Sequence, residues 1–358
     1  MQLAGSLIRR GLEAQNEHGD KINIPRWGAV MLVSTAAIYM FTMFMVEYTF
    51  GRVIPTLVMI ESPVDTISFE PLPTDKSTVT KDPEQPPKRA LITSSIRQTA
   101  RHLGGFSSRF RGLGIFIVNA LAVQWIAGMV SVVPMIKILP GVADIIAVVL
   151  CAQLSLTWTH IVISENSPKT WYRRLAPVKM WKKVAVPTAV FALAEQLTVY
   201  IAMYMGVLVG LVDEDAQQMV DLTSGQKTAM SIKAVGVLAL CLLLTFFIVI
   251  PANVTLTRVQ ASLLAETEET IVPFDQSFGG KVIPEVVGGT GTIGMFDAWK
   301  TFDWAARVRL VKTYLKFLGM QMAVSFLFTM VLVSELFIIA GRDWSKLIPE
   351  NGGNKQGL

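Results

Sequence analysis

The sequence predicts an all-α, polytopic membrane protein with six transmembrane helices. Six stretches, near 28–50, 113–133, 142–162, 185–212, 232–256 and 313–340, are mostly apolar. Each holds about 20 or more residues, enough for a helix to cross a hydrocarbon core of roughly 30 Å. The chain is 52% hydrophobic with a mean hydropathy of +0.48, above the range of ordinary soluble domains. Its basic residues alternate: gaps one, three and five between the stretches carry 9, 6 and 6 of the 32 Lys and Arg. Basic loops collect on one side of a membrane, so both termini are expected on one side and three basic loops on the other.

Taken in order, residues 1–27 form an amphipathic N-terminal segment. Leu3, Leu7, Ile8 and Leu12 share a helical face beside Arg9 and Arg10, and Pro25, Arg26 and Trp27 make a turn and an interfacial anchor. The first span and its extension occupy 28–60. A helix of that length exceeds one straight crossing by about 20 Å, so it must tilt, kink near Gly51 or Pro55, or project from the bilayer. Residues 61–112 read as a disordered Pro/Ser/Thr/Asp/Glu-rich segment to about 90, then a basic helix with Arg97, Arg101, Arg109 and Arg111.

The membrane bundle covers 113–340. Its third gap, 163–183, interleaves Trp171, Tyr172 and Trp181 with six basic residues, as expected at headgroup level. The fourth is acidic (Asp213, Glu214, Asp215, Asp221) and suits the opposite face. The loop 257–312 is the most structured. It has an acidic patch (Glu266, Glu268, Glu269), a Gly/Pro-rich stretch from Val272 to Gly294, and an amphipathic run 296–312 expected in the interface beside span six. Residues 341–358 are a C-terminal tail.

An internal repeat is the next signal, because two spans separated by a basic loop recur three times. The end of span five contains Pro251, Asn253, Arg258 and Gln260. It resembles the signature of the mitochondrial carrier family, in which a proline kinks an odd-numbered helix and an acid and then a base follow. Asn253 stands where the acid belongs and Leu256 where the first base belongs. Thr157–Ser164 lies 94 residues before, without proline or charge pair; Pro63 and Asp65 lie 94 residues before that. The resemblance implies a six-helix, three-repeat bundle whose charged pairs close the matrix side. With those pairs mostly missing, a transporter and a degenerate scaffold both remain open.

Four further segments, Ile24–Trp27, Trp158–Glu165, Val272–Glu285 and Phe302–Lys312, resemble a family of filamentous-fungal membrane proteins often labelled "ubiquitin carrier protein". Ubiquitin transfer needs an exposed cysteine in a soluble domain, whereas Cys151 and Cys241 both fall inside spans. The resemblance therefore implies a six-span protein of unknown activity.

Ionisable and amide side chains inside spans are the candidate site, because burying them in hydrocarbon is costly. Glu195, beside Gln196 near the middle of span four, leads. It would bind a cationic or polar solute if it faces the bundle, or brace two helices if it does not. Glu47, Gln124 and Gln321 are the other cavity candidates. Lys316 and Glu335, toward the ends of span six, can snorkel, and His160 ends span three.

No cofactor is expected. Gly289, Gly291 and Gly294 match a dinucleotide-binding spacing, but an interfacial helix and a span follow where a βαβ unit would be needed. The histidines (His18, His102, His160) are scattered, and no metal or nucleophile pattern appears. The net charge of +5 arises from the loops and suits anionic headgroups rather than nucleic acid.

The expected partners are thus the bilayer, a small solute and a protein partner. The expected function is non-enzymatic: a solute carrier, or a scaffold that binds protein through 61–112 and 257–312. An interfacial lipid-acting enzyme is the remaining alternative. A mitochondrial membrane is favoured by the carrier resemblance and the N-terminal segment, with the endoplasmic reticulum or another endomembrane as the alternative.

Overall fold

A computed structural model describes residues 26–62, 109–137, 139, 141–165, 167, 169–211, 223–265, 267–283 and 285–340. The expectations for the N-terminal segment before Arg26, the segment 63–108 with Pro63 and Asp65, the acidic fourth gap, Glu266 and the C-terminal tail lie outside these residues.

The described chain is helical. Its one extended contact is an isolated antiparallel bridge between Ser164 and Thr270. Five helices are long and apolar enough to cross a membrane: Arg26–Ile60, Leu113–Val130, Val178–Leu208, Ser224–Ser262 and Trp304–Ile339. The expected third span is a pair, Val142–Leu150 and Ala152–Ile163, bent by 58°. Among the described residues the count is therefore five unbroken spans, or six if the bent pair is one span.

The chain divides into two compact units, Met1–Met45 with Met320–Leu358, and Val46–Gly319. In the first, the two helices run antiparallel along a polar seam. Tyr39 Oη lies 3.2 Å from Ser325 Oγ, Tyr39 packs on Phe328 with centroids 5.2 Å apart, and the Thr35 hydroxyl donates to Glu335. Glu335 is only 5% exposed. It does not snorkel as expected, because its carboxylate is held in the helix contact.

In the second unit the distal ends of the three odd-numbered spans meet. Each carries a local irregularity with an identifiable cause. In span one the segment Glu47–Val53 is π-helical and Pro55 follows at the start of the next α-helical stretch. In span five Thr245–Val249 is π-helical and Pro251 follows likewise. A proline lacks the N–H for the carbonyl four residues back and its ring clashes with it, so the preceding turn widens.

Span three has no proline. Its break falls at Cys151, and the indole of Trp181 inserts there, donating to Val149 O at 2.8 Å. A side chain that takes a ladder carbonyl is a recognised cause of a sharp bend. Val53, Cys151 and Val249, which mark these three irregularities, are spaced 98 residues apart. In this register the counterpart of Pro251 in span one is Pro55 rather than Pro63.

Three apolar clusters bind the odd ends together. One joins Tyr48, Leu57 and Ile60 to Val162, Ile163, Ala261 and Val272. A second joins Leu156 to Val259, Phe278 and Ile293. The third joins Ile54, Val58 and Met59 to Val254, Phe302 and Leu310. The loop after span five thus supplies side chains to all three. The amphipathic run expected over 296–312 is split: Met295–Lys300 is a short helix, and the long sixth helix starts at Trp304. Phe296 and Trp304 are 83% and 76% exposed, as an interfacial run requires, but Phe302, Ala306 and Leu310 are buried core.

Candidate functional site

The joined odd ends are tied pairwise by polar groups that each helix must satisfy at its terminus. The last carbonyls of a helix lack intrahelical partners. At the end of span one, Arg258 donates to Met59 O at 3.0 Å. The same guanidinium donates to Thr301 Oγ1 at 2.9 Å and lies 4.7 Å and 5.4 Å from the ring centroids of Phe278 and Phe302. Arg258 is 6% exposed. This is the tie between spans five and one.

Between spans three and five, Thr159 Oγ1 donates to Gln260 Oε1 at 2.6 Å and Gln260 Nε2 donates to Ser155 Oγ at 3.2 Å. His160 Nε2 donates to Gln260 O at 2.8 Å, so this histidine braces two helices rather than standing free at an interface. Between spans one and three, Trp158 Nε1 donates to Tyr48 Oη at 3.1 Å, and Tyr48 donates to Arg111 O at the start of span two.

The basic loops add a second layer. Arg309 pairs with Glu61 at 2.9 Å and Arg174 with Glu268 at 3.0 Å. Burial and the neighbouring Arg174 guanidinium pull Arg111 below the ordinary arginine value. Asp275 organises the loop turn. Burial alone would raise its pKa, but the Ser277 hydroxyl and the Gly279 and Ser277 N–H groups outweigh that and hold the carboxyl below its usual value. The exposed Glu285 is likewise lowered by a hydrogen bond from Lys183.

Against this sealed end lies a cavity of about 100 Å³. Every span contributes to its lining: Arg52 from the first, Asn119 from the second, Trp158 from the third, Phe191 from the fourth, Asn253 from the fifth and Tyr314 from the sixth. The guanidinium of Arg52 is exposed, 5.8 Å from the Phe116 ring centroid. Among the described residues it makes no ion pair and donates no side-chain hydrogen bond. Tyr314, on the same lining, shares a hydrogen bond with Asn253.

The expected site residues separate into groups. Asn253 and Gln260 line the cavity, and Pro251 sets the turn above them. Glu195 is half-buried one helical turn from Phe191 on the same face. Glu47 is exposed one turn before the cavity-lining Gly51.

Three of the glutamines do not line the cavity, which corrects the expectation. Gln196 packs on Gly141 at the start of the bent pair; a Cβ there would lie 2.7 Å from its Oε1. Gln124 is exposed on span two, and Gln321 lies in the other unit. Arg258 closes the odd ends and is not among the residues that line this cavity. Arg52, Asn119 and Tyr314 were not anticipated. An arginine in the second half of a 35-residue apolar helix, five residues after Glu47, was the signal available for the first of them.

No protein-family model and no curated protein matches the chain.

Proposed function

We propose that the chain is a solute carrier of an organelle membrane, built as a degenerate three-repeat bundle. The observation that carries this is the polar cavity: all six spans line it, it holds an unpaired arginine, and it abuts the meeting point of three odd-numbered helix ends. An unpaired charge within an apolar helix costs several kcal/mol, so its retention favours a ligand that pairs with it. The recurrence of an irregularity every 98 residues supports the carrier resemblance. Exposed Trp171, Tyr172, Lys179 and Lys182 suit anionic headgroups on the basic side. A mitochondrial membrane follows from the same resemblance.

The test is counter-exchange. Purified full-length protein in liposomes loaded with a mixture of small metabolites should release a subset of them, saturably, when the same solutes are added outside. The reading fails if no solute that binds the protein moves faster than in protein-free liposomes.

A second reading, a non-transporting scaffold, is favoured by the seal itself. Opening the basic end would expose three apolar clusters and withdraw the buried Arg258. Co-purification of a partner that is lost on deletion of residues 279–291 would support the scaffold; unchanged co-purifying proteins would count against it.

A further inference from the structure

Charge, more than shape, sets what the cavity can hold. Arg52 is the one charged side chain among the residues that line it; the polar remainder, including Asn119, Ser155, Asn253, Gln260 and Tyr314, is neutral. Among the described residues no ion pair reaches the guanidinium, and nothing in the protein takes its donors. Arg52 also sits on the π-helical turn Glu47–Val53, and widened turns of this kind recur at functional sites.

Snorkelling does not account for this arginine. It lies eight residues, roughly 12 Å, before the end of the span at Ile60. Helical side chains lean toward the N-terminus of their helix, so the guanidinium is directed away from that end rather than out through it. The Phe116 ring, with its centroid 5.8 Å away, places it against span two.

Two neighbours on the lining can add donors to the fork. Ser155 Oγ accepts from Gln260 Nε2 at 3.2 Å, and its own O–H donates to no described group. Asn119 Oδ1 is buried without a donor, so turning that amide about its terminal bond to present Nδ2 forfeits no hydrogen bond. A cationic ligand would meet Arg52 with no carboxylate on the lining to offset the repulsion. A neutral ligand would leave the guanidinium unpaired. A carboxylate or phosphate matches its planar fork of donors.

We propose that the cavity binds a small soluble anion through a carboxylate or phosphate group held by the Arg52 guanidinium. The proposal rests on the reading of the cavity as the solute site. A lipid headgroup offers the same phosphate, but residues from all six spans line the cavity, which assigns it to the bundle interior and favours a solute.

The experiment is calorimetric titration of the purified full-length protein in neutral detergent. The anionic probes are acetate, citrate and inorganic phosphate; acetamide and ethylamine are the neutral and cationic ones. At least one anion should bind about tenfold or more tighter than acetamide and ethylamine, the factor expected for a charge-assisted pair. Arg52→Gln should lower the affinity for that anion by about tenfold or more. Arg52→Lys, which keeps the charge without the fork, should retain part of it. Lys300→Gln, on the exposed side of the short helix Met295–Lys300, should retain all of it.

A thermal unfolding profile of each variant separates lost binding from lost folding, and Arg52→Lys serves where Arg52→Gln fails to fold. Acetamide or ethylamine binding as tightly as every anion, no binding by any anion, or anion affinity unchanged in Arg52→Gln would each overturn the proposal. So would complete displacement of the anion by phosphatidylglycerol equimolar with the protein, because a lipid headgroup would then occupy the site. Anion binding without counter-exchange would instead overturn the carrier reading and leave the anion site standing. Counter-exchange confined to neutral or cationic solutes would do the reverse.

Discussion

Replacing Arg258 by methionine removes a guanidinium that caps span one, anchors the loop after span five and sits between two aromatic rings. It loses two short hydrogen bonds, at 3.0 Å to Met59 O and 2.9 Å to Thr301 Oγ1. Hydrogen bonds from an ionised donor contribute about 1.5–3 kcal/mol each, and a cation over a ring about 0.5–2 kcal/mol. Against this, methionine recovers the desolvation penalty of a buried ion, which is several kcal/mol in real proteins. The net expectation is a destabilisation of about 2–4 kcal/mol, large for a single substitution.

The assay is equilibrium denaturation in mixed micelles, read by tryptophan fluorescence, for Arg258→Met, Phe278→Leu and the double variant. Phe278 is informative because its backbone has φ +50°, a left-handed conformation that costs a non-glycine residue roughly 1–2 kcal/mol. Its ring 4.7 Å from the Arg258 guanidinium supplies a reason for phenylalanine in that conformation. Leucine keeps the backbone cost and removes the ring, whereas glycine would relieve both and confuse the measurement. The cycle should show a coupling of about 0.5–2 kcal/mol. Effects that add to within about 0.5 kcal/mol would refute the idea that the ring holds the cation.

Other substitutions test the remaining supports. Gly141→Ala should destabilise by more than about 2 kcal/mol, because φ is +79° and the new Cβ would lie 2.7 Å from Gln196 Oε1 and from Tyr200 Cε2; a neutral effect in the same denaturation assay would mean that span four does not pack there. Gln260→Leu should cost about 1–3 kcal/mol through the stranded Thr159 and Ser155 hydroxyls, with Gln260→Glu as a volume control; equal stability of Gln260→Leu and the parent would remove the tie between spans three and five. Because the folded carboxyl of Asp275 is held below its usual value, it contributes stability that is present above the unfolded carboxylate pKa of about 4 and lost as pH falls through the lower folded value. Asp275→Asn should flatten that acid limb, and an unchanged pH profile would show that the turn does not depend on the charge.

Much of the architecture is legible in the chain because hydrocarbon demands it. A run of 20 apolar residues has few solutions other than a spanning helix. The alternation of basic gaps likewise anticipates loops that the structure brings to one end, where Arg111 reaches Ser164 and Arg174 reaches Glu268. The strain in span one was legible too, from its length and from Gly51 and Pro55. The bend at Cys151 was not, since no glycine or proline lies there and its cause is an indole 30 residues downstream.

What the sequence by itself determined is therefore the helices and their number to within one, since each follows from local composition acting against lipid or water; their ends shifted by up to nine residues, as where the sixth helix starts at Trp304. Which side chains meet was decided only by the tertiary structure. Polar residues in these spans are not segregated onto one face, because lipid and bundle interior are both apolar and the pattern does not distinguish them. Glu195, Gln124 and Gln321 look equivalent as letters, yet only Glu195 lies one helical turn from a residue that lines the cavity. Arg52 joins the cavity lining and Arg258 becomes a clamp because of contacts with residues about 20 to 260 positions away along the chain, and no local signal carries that information.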